Sequence, residues 1–437
     1  MIKNNLHLET ICTFLSILLP IGLLIGSGVS VTIEILLCIF FLTISFYHKN
    51  FDWVKKKYFF LLMLIWVSLL INLVFTKSFN LSFLRNVSFI ENIFFVFAFS
   101  YVIKKERSFN FIFTFFLTIT TIVAFDIYFE YFNKVNILGI KSYDPTRIAS
   151  FLGKELKIGA FMLGFSFISI AYYFERHSNK SLGYKLFGFF LLLAFFISIL
   201  LTGERANSVK AIFIIILFIA FSQKKQFRYK KIFFTMILLI TLCSYFFSER
   251  VKYRFNVILA PINNIGLIDA FKETQHGAHF YTAKEMFVKY PFFGVGNKNF
   301  RVECNKEEYE NKSYKRTAER CATHPHQIYY ELFSELGLIG ALIILSVIFF
   351  ILFESIKIYI KNNNLIHLAS ILFVSSQFLP IIPSGSFFNA WSATIFWLNF
   401  SILIFYNNNS NNKIILNYKN YLIYFFLFKK FFFFRKK

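Results

Sequence analysis

The residues best suited to chemistry lie in the segment 321–340, CATHPHQIYYELFSELGLIG, where two histidines flank a proline. Proline suits the start of a helix, so His326 is predicted in a first helical turn, where the positive helix end favours a neutral imidazole. A neutral histidine accepts a proton from a hydroxyl near pH 7. The pattern predicts a general base at His326, with Tyr330 one turn later to orient it.

The same histidines also suggest a metal site. A third ligand would have to come from His276 or His279 in the motif QHGAH, and no spacing in the chain matches a zinc pattern. Catalysis by His326 is therefore favoured over metal binding, and polar surface histidines are the remaining alternative. No metal and no cofactor are predicted.

Three arginines are candidates for binding a phosphate. They occur in DPTRIASF, LTGERANS and SERVKYRF as Arg147, Arg205 and Arg254. The planar guanidinium group offers a fork that matches phosphate oxygens, and Glu204 is predicted to hold the fork of Arg205 in place. The alternatives are a membrane-interface anchor for Arg205, a surface loop for Arg147 and a solvated basic stripe for Arg250 and Arg254.

Long apolar runs separate these polar segments. The chain of 437 residues is 57% hydrophobic and only 16% charged, which excludes a water-soluble domain of ordinary composition. The net charge of +24 lies in short clusters between the runs and indicates topology rather than a nucleic-acid surface. About 20 apolar residues cross a bilayer as a helix, and twelve runs qualify: 8–25, 29–47, 58–76, 86–103, 109–131, 158–174, 186–202, 208–222, 232–248, 336–353, 365–382 and 387–406. The predicted fold is an all-α integral membrane protein.

The charges of the connecting loops predict the orientation of these helices. Short loops on one side hold 17 Lys and Arg, and those on the other side hold 8. The positive-inside rule then places both termini in the cytoplasm and segment 249–335 on the periplasmic side of a bacterial inner membrane. In that oxidising compartment Cys304 and Cys321 are predicted to form a disulfide.

Four parts are predicted along the chain. Residues 1–248 carry helices one to nine, and residues 249–335 form a large, partly helical periplasmic loop with the candidate catalytic segment. Residues 336–406 carry the last three helices. Residues 407–437 form a basic cytoplasmic tail, in which 421–434 is predicted to be an interfacial helix lying against anionic lipid.

Taken together, these features resemble the O-antigen ligase and polymerase superfamily. The resemblance rests on twelve predicted helices, the loop before helix ten, the motif G-x-G at Gly294 to Gly296 and the signature E-x-G-x-x-G at Glu335 to Gly340. It covers most of the chain, and its specific part is 291–340. It implies a C-type glycosyltransferase fold that acts on an undecaprenyl-diphosphate-linked glycan without metal or nucleotide. Attack opposite the diphosphate predicts inversion at the anomeric carbon.

The resemblance also implies roles for individual residues. His326 matches the base that activates the acceptor hydroxyl, although family members usually have Asn where this chain has Gln327, and His324 is the alternative base. The arginines that match those holding the diphosphate are Arg205, Arg254 and Arg147. Supporting roles are predicted for His324, Tyr330 and Glu335.

Two classes of function remain at this point. An O-antigen ligase, with a lipid A core sugar as acceptor, is favoured over a polymerase, whose acceptor is a second lipid-linked glycan, because a histidine in a large loop before helix ten is more typical of ligases. A transporter is the alternative from another class, but it needs charges along a midplane path, and Glu91, Asp126 and Glu130 are few. A structural or signalling role leaves the clusters unexplained. Membrane lipids are predicted partners, and nucleic acid is not.

Overall fold

A computed structural model describes residues 2–153, 155–222 and 230–409. Within these ranges the regular structure consists of 17 α-helices and three short 3-10 helices, without a strand. The predicted all-α membrane fold is confirmed. The predicted tail helix at 421–434 and most of the basic loop 223–231 lie outside the described residues, and the division into four parts stays a prediction.

Ten helices precede the long polar segment: α1 (Ile2–Ile25), α2 (Ser27–Tyr47), α3 (Lys57–Phe75), α4 (Phe79–Ser88), α5 (Ile90–Val102), α6 (Glu106–Asn133), α7 (Ile158–Arg176), α8 (Leu182–Leu201), α9 (Arg205–Phe221) and α10 (Lys230–Phe247). Four helices lie within that segment: α11 (Glu249–Ile265), α12 (Leu267–Lys272), α13 (Gln275–Lys289) and α14 (Phe300–Glu303). Three helices follow: α15 (Ile328–Asn362), α16 (Leu365–Gln377) and α17 (Ala390–Asn408).

Each of the twelve predicted runs overlaps a helix, with run 86–103 divided between α4 and α5, but fewer of these helices qualify as membrane spans. In the described ranges, nine helical stretches are long and apolar enough to cross a membrane, with α4 and α5 joined as one. The other three runs correspond to α9, α16 and α17. α9 has 17 residues and α16 has 13, so both are short for a span, and α17 carries Asn399 within its apolar run.

The buried centre of the bundle is formed by α7, which packs against α6, α8 and α16. Nearly all of its side chains are buried, and the ring of Phe165 meets Phe116 of α6 edge-on at 5.2 Å between centroids. An aromatic pair of this geometry adds to the dispersion energy of the packed helices. This packing fixes the ends of α7 and α9, where the arginine motifs lie.

The predicted disulfide is confirmed, because Cys304 and Cys321 are bonded with their Cα atoms 5.3 Å apart. The bond closes the loop between α14 and the histidine segment. Cys304 is fully buried in a small cluster with Phe300 and Tyr309. The disulfide therefore ties the segment before His324 to a packed part of the polar region.

Replacing both cysteines by serine is expected to loosen this loop. Cross-linking residues about 15 apart restricts the unfolded chain by about 3 kcal/mol, so the double variant should be cleaved faster between residues 305 and 320 by an added protease. Cys243→Ser is the matched control, since Cys243 is exposed and unpaired. Equal cleavage rates for the double variant and the control would show that the disulfide adds no stability.

Candidate active site

A break inside α15 shapes the site. Gly337 has φ 65° and ψ −169°, a conformation open essentially only to glycine. The carbonyls of the turn before Gly337 accept hydrogen bonds from the G-x-G loop instead of from the helix. Val295 N–H donates to Ser334 O at 2.9 Å, and Gly296 N–H donates to Glu335 O at 2.8 Å. The loop thus supplies hydrogen bonds that the break removes from the helix. This explains physically why the two glycine motifs occur together.

Replacing Gly337 by alanine is expected to destabilise the protein strongly. The added Cβ would lie 2.4 Å from the carbonyl carbon and oxygen of Phe292, and the backbone conformation alone costs about 1–3 kcal/mol for a residue other than glycine. The measurement is the thermal unfolding midpoint in detergent. Gly28→Ala is the control, because no atom lies within 4 Å of its Cβ position. The two variants unfolding at the same temperature would rule out this interlock.

Glu335, predicted to support catalysis, is a clamp for the backbone. Its carboxylate is fully buried and accepts hydrogen bonds from Lys298 N–H at 2.9 Å and Phe300 N–H at 3.2 Å. Glu331, one turn earlier, accepts from Phe387 N–H at 2.8 Å and from the hydroxyl of Ser386. The two carboxylates therefore hold two separate loops against the start of α15.

The position predicted for His326 in a first helical turn is wrong. Its φ is 61°, outside the helical region, and α15 begins at Ile328. Gln327 is the N-cap instead: its side-chain oxygen accepts from Tyr329 N–H at 2.8 Å and Tyr330 N–H at 3.1 Å. The carbonyl of His326 accepts from Ser384 N–H at 2.8 Å, which fixes the residue between two segments.

Four histidines form one cluster. The ring of His326 lies 4.2 Å from that of His324, 5.2 Å from His279 and 5.5 Å from His276. Burial is the main cause that lowers the pKa of His326 to about 3 and the pKa values of His276 and His324 to about 4. All three are neutral at pH 7, so the predicted charge state of His326 has desolvation as its cause rather than a helix end.

The two QHGAH histidines are held beside His326 by α13. His279 Nε2 lies 3.0 Å from Glu319 O, which fixes its ring. Tyr330 was predicted to orient His326, but its ring stacks on Phe280 of α13 at 4.4 Å. That contact holds α13 against α15 and so acts on the whole cluster. Within the described ranges, no three His, Cys, Asp or Glu side chains have an arrangement that holds a metal ion.

The three predicted phosphate-binding arginines come together at the N-terminal end of α9. Arg205 Nη1 donates to Arg254 O at 3.1 Å, and Arg254 Nε donates to Gly203 O at 3.2 Å. Arg147 donates to Leu156 O. Burial and the charge of Arg147 lower the pKa of Arg254, so the two cations are close. This set is called the arginine cluster below.

The guanidinium groups of the arginine cluster form no direct ion pair with another described residue, although the carboxylates of Asp144 and Glu204 lie within electrostatic range. In the part of the chain that the structure describes, none of the ion pairs within 4.0 Å includes Arg147, Arg205 or Arg254. Glu204 does not hold the fork of Arg205 as predicted. Its buried carboxylate accepts from Gly159 N–H at 2.7 Å and from Asn207 Nδ2 at 2.6 Å, so it fixes the start of α7. The guanidinium groups are left to attract an anion.

His276 joins the two clusters. It lies beside His326, and the charge of Arg205 is among the causes that lower the pKa of His276, after burial and the neighbouring histidines. Its Nδ1 is buried without a hydrogen-bond partner among the described residues. Sequence reasoning considered His276 only as a metal ligand. Its place beside a base candidate and within electrostatic range of Arg205 depends on the packing of α13, which no local pattern encodes.

These features define a class of protein: a helical membrane protein whose polar segment brings neutral histidines next to a cluster of arginines. Residues 187–345 match the family model described as O-antigen ligase. The match runs from α8 into α15 and includes the four clustered histidines, Arg205 and Arg254, whereas Arg147 precedes it. Over these residues the protein is similar to the O-antigen ligase family, and the predicted resemblance to that superfamily is confirmed. No curated protein shows a significant match to the chain.

Proposed function

We propose that this protein is a glycosyltransferase of the O-antigen ligase type, which moves a glycan from undecaprenyl diphosphate to a hydroxyl of the lipid A core. The observation that carries the proposal is the neutral, buried His326, whose neighbour His276 lies within electrostatic range of Arg205 in the arginine cluster. A base and a diphosphate site are the two parts that this reaction needs. The family match over residues 187–345 supports the same class of enzyme.

The reaction follows from these parts. The acceptor hydroxyl gives its proton to His326, and its oxygen attacks the anomeric carbon of the donor. The bond from that carbon to the diphosphate oxygen breaks, and its electron pair stays on the diphosphate. Arg205, Arg254 and Arg147 stabilise the negative charge that develops there. Because the oxygen attacks opposite the leaving group, the anomeric configuration inverts, and neither a metal nor a nucleotide is required.

The proposed location is the periplasmic face of a bacterial inner membrane. The excess of Lys and Arg in alternate loops supports it, and membrane lipids then surround the apolar helices. A reporter inserted after Lys312 should be active only in the periplasm, whereas one fused after Lys437 should be active only in the cytoplasm. The reverse pattern would place the site on the wrong face for this reaction.

Deletion of the gene tests the proposed function and its alternative. Gel analysis of surface and carrier-linked polysaccharide should show long chains left on the lipid carrier, because ligation to the core has stopped. Products with a single repeat unit would instead assign the protein as an O-antigen polymerase, whose acceptor is another lipid-linked glycan. A polysaccharide pattern unchanged by deletion would contradict both, and reintroduction of the gene is the control.

A further inference from the structure

A second basic site lies beside His324, whose ring is next to that of His326. His324 lines a cavity of about 410 Å³, together with Arg85, Lys298, Arg301, Ser386 and Asn389. None of the residues of the arginine cluster lines it. The cavity is therefore distinct from the proposed diphosphate site, although the rings of His324 and His326 are only 4.2 Å apart.

Lys298 is the innermost cation of this cavity. Its side chain is only 6% exposed, and its Nζ donates to Ser386 Oγ at 2.8 Å. An ammonium carries three donors, so a neutral hydroxyl satisfies it incompletely. Glu331 and Glu335 lie within electrostatic range of Lys298, but neither bonds its Nζ directly. Glu335 accepts from the backbone N–H groups of Lys298 and Phe300, and Glu331 accepts from Phe387 N–H and from the same Ser386 hydroxyl. The buried charge therefore lacks a direct counter-ion.

Two arginines increase the positive charge of the cavity. Arg301 Nη2 donates to Thr323 O at 3.2 Å, while its buried Nε has no hydrogen-bond partner among the described residues. Arg85 reaches the cavity from the last turn of α4. Both arginines lie within electrostatic range of Lys298.

No acidic side chain lines the cavity. Within the described ranges, none of the ion pairs within 4.0 Å involves Arg85, Lys298 or Arg301. Three converging cations without a paired anion form a site for a negatively charged group, because such a group would supply the hydrogen bonds and charge that the protein leaves out.

We propose that this cavity binds an anionic substituent, a phosphate or a carboxylate, on a sugar of the acceptor glycolipid. This inference rests on the proposed function and adds the acceptor's chemistry to it. With the donor diphosphate in the arginine cluster, an acceptor held by Lys298, Arg301 and Arg85 would present a neighbouring hydroxyl to His326. The two basic sites then hold two negatively charged substrates on either side of one base.

The test uses Arg301→Gln and Arg85→Gln, which remove charge at the more accessible positions and spare the buried Lys298. Each loses a charge-assisted hydrogen bond to the acceptor, so the acceptor KM should rise about tenfold. The donor KM, and kcat at saturating acceptor, should stay as in the unaltered protein. Lys312→Gln is the matched control, because Lys312 is exposed and does not line the cavity.

The acceptor is lipopolysaccharide from cells that lack the ligase. It is used in three forms: intact, after removal of its phosphates with hydrofluoric acid, and after reduction of its carboxyl groups. The treatment that raises the KM of the unaltered protein to the level of the variants identifies the anion. If both cavity variants have the acceptor KM of Lys312→Gln, the cavity assignment is overturned while the transferase stands. Absence of transfer by the unaltered protein would instead contradict the proposed function.

Discussion

Replacing His326 by alanine is expected to slow glycan transfer by about 10²–10⁴-fold, the usual contribution of a general base. The acceptor hydroxyl would then have to lose its proton to water. Because His326 has a left-handed backbone, His326→Asn is the second variant, since asparagine tolerates this conformation and removes only the base. Transfer is measured with a lipid-linked donor at equal amounts of protein in the membrane.

Two other histidines serve as comparisons for this result. His48→Ala should transfer at the normal rate, because His48 is exposed and far from the site in sequence. His324→Ala should have a smaller effect than His326→Ala, since His324 lies beside the base and lines the neighbouring cavity. Near-normal turnover by both His326 variants would reject His326 as the base.

The pH dependence of the transfer rate tests the role of His326 independently. Burial, with smaller effects from His324 and His279, lowers the pKa of His326 to about 3, so protonation is resisted as the pH falls. Transfer should therefore keep its rate from about pH 8 to about pH 5, whereas a base with the ordinary histidine pKa would lose about 30-fold by pH 5. A fall in rate centred near pH 6.5 would contradict a desolvated base.

Removing the guanidinium group of Arg205 is expected to reduce transfer by about 10²–10³-fold, as for loss of one donor that stabilises a developing oxyanion. Arg205→Lys should fail nearly as completely as Arg205→Ala, because an ammonium keeps the charge but does not reproduce the bidentate fork. The measurement is kcat with the lipid-linked donor, with protein abundance compared by immunoblot.

Arg107→Lys is the matched control, since Arg107 is exposed at the start of α6 and outside the arginine cluster. A normal rate for Arg205→Lys would show that charge alone is enough and would reject bidentate binding. A normal rate for Arg205→Ala would remove Arg205 from the diphosphate site, and Arg254 and Arg147 would be left as its candidates.

The membrane helices and the disulfide were predictable because each depends on one local property. An apolar run of sufficient length predicts a helix in lipid, and this placed all twelve runs on helices of the structure. The pairing of Cys304 and Cys321 followed from the compartment and their isolation in one polar segment. The number of helices that meet the length and apolarity of a membrane span was harder to predict. Polar residues such as Asn399 of α17 lower the apolarity of a helix, yet they are tolerated where they are buried in protein.

The parts of the site that sequence reasoning missed depend on contacts between distant segments. His276 and His279 reach His326 only because α13 packs against α15 through Phe280 and Tyr330. A hydrophobic pattern reports which residues are buried, but it does not report which polar loops meet. The signal in QHGAH was visible, yet it was considered only for metal binding.

The carboxylates were the least predictable residues. Glu204 stands beside Arg205 in the sequence, which favoured a role in charge pairing, and Glu335 follows the histidine segment, which favoured a supporting role in catalysis. In the structure both accept backbone N–H groups that no regular element satisfies, those of Gly159 for Glu204 and of Lys298 and Phe300 for Glu335. The need to pair buried backbone donors decides their orientation, and it arises only once the loops are in place.

The central claim is transfer of a glycan from a lipid diphosphate at the site formed by His326 and the arginine cluster. The most direct measurement uses purified protein in lipid vesicles, without nucleotide or divalent metal. The donor is an undecaprenyl-diphosphate-linked glycan, and the acceptor is lipopolysaccharide from cells that lack the ligase. One undecaprenyl diphosphate should be released for each glycan that becomes attached to the acceptor, and His326→Asn should slow both by about 10²–10⁴-fold. No release by the unaltered protein, or release that is equal in His326→Asn, would contradict the account.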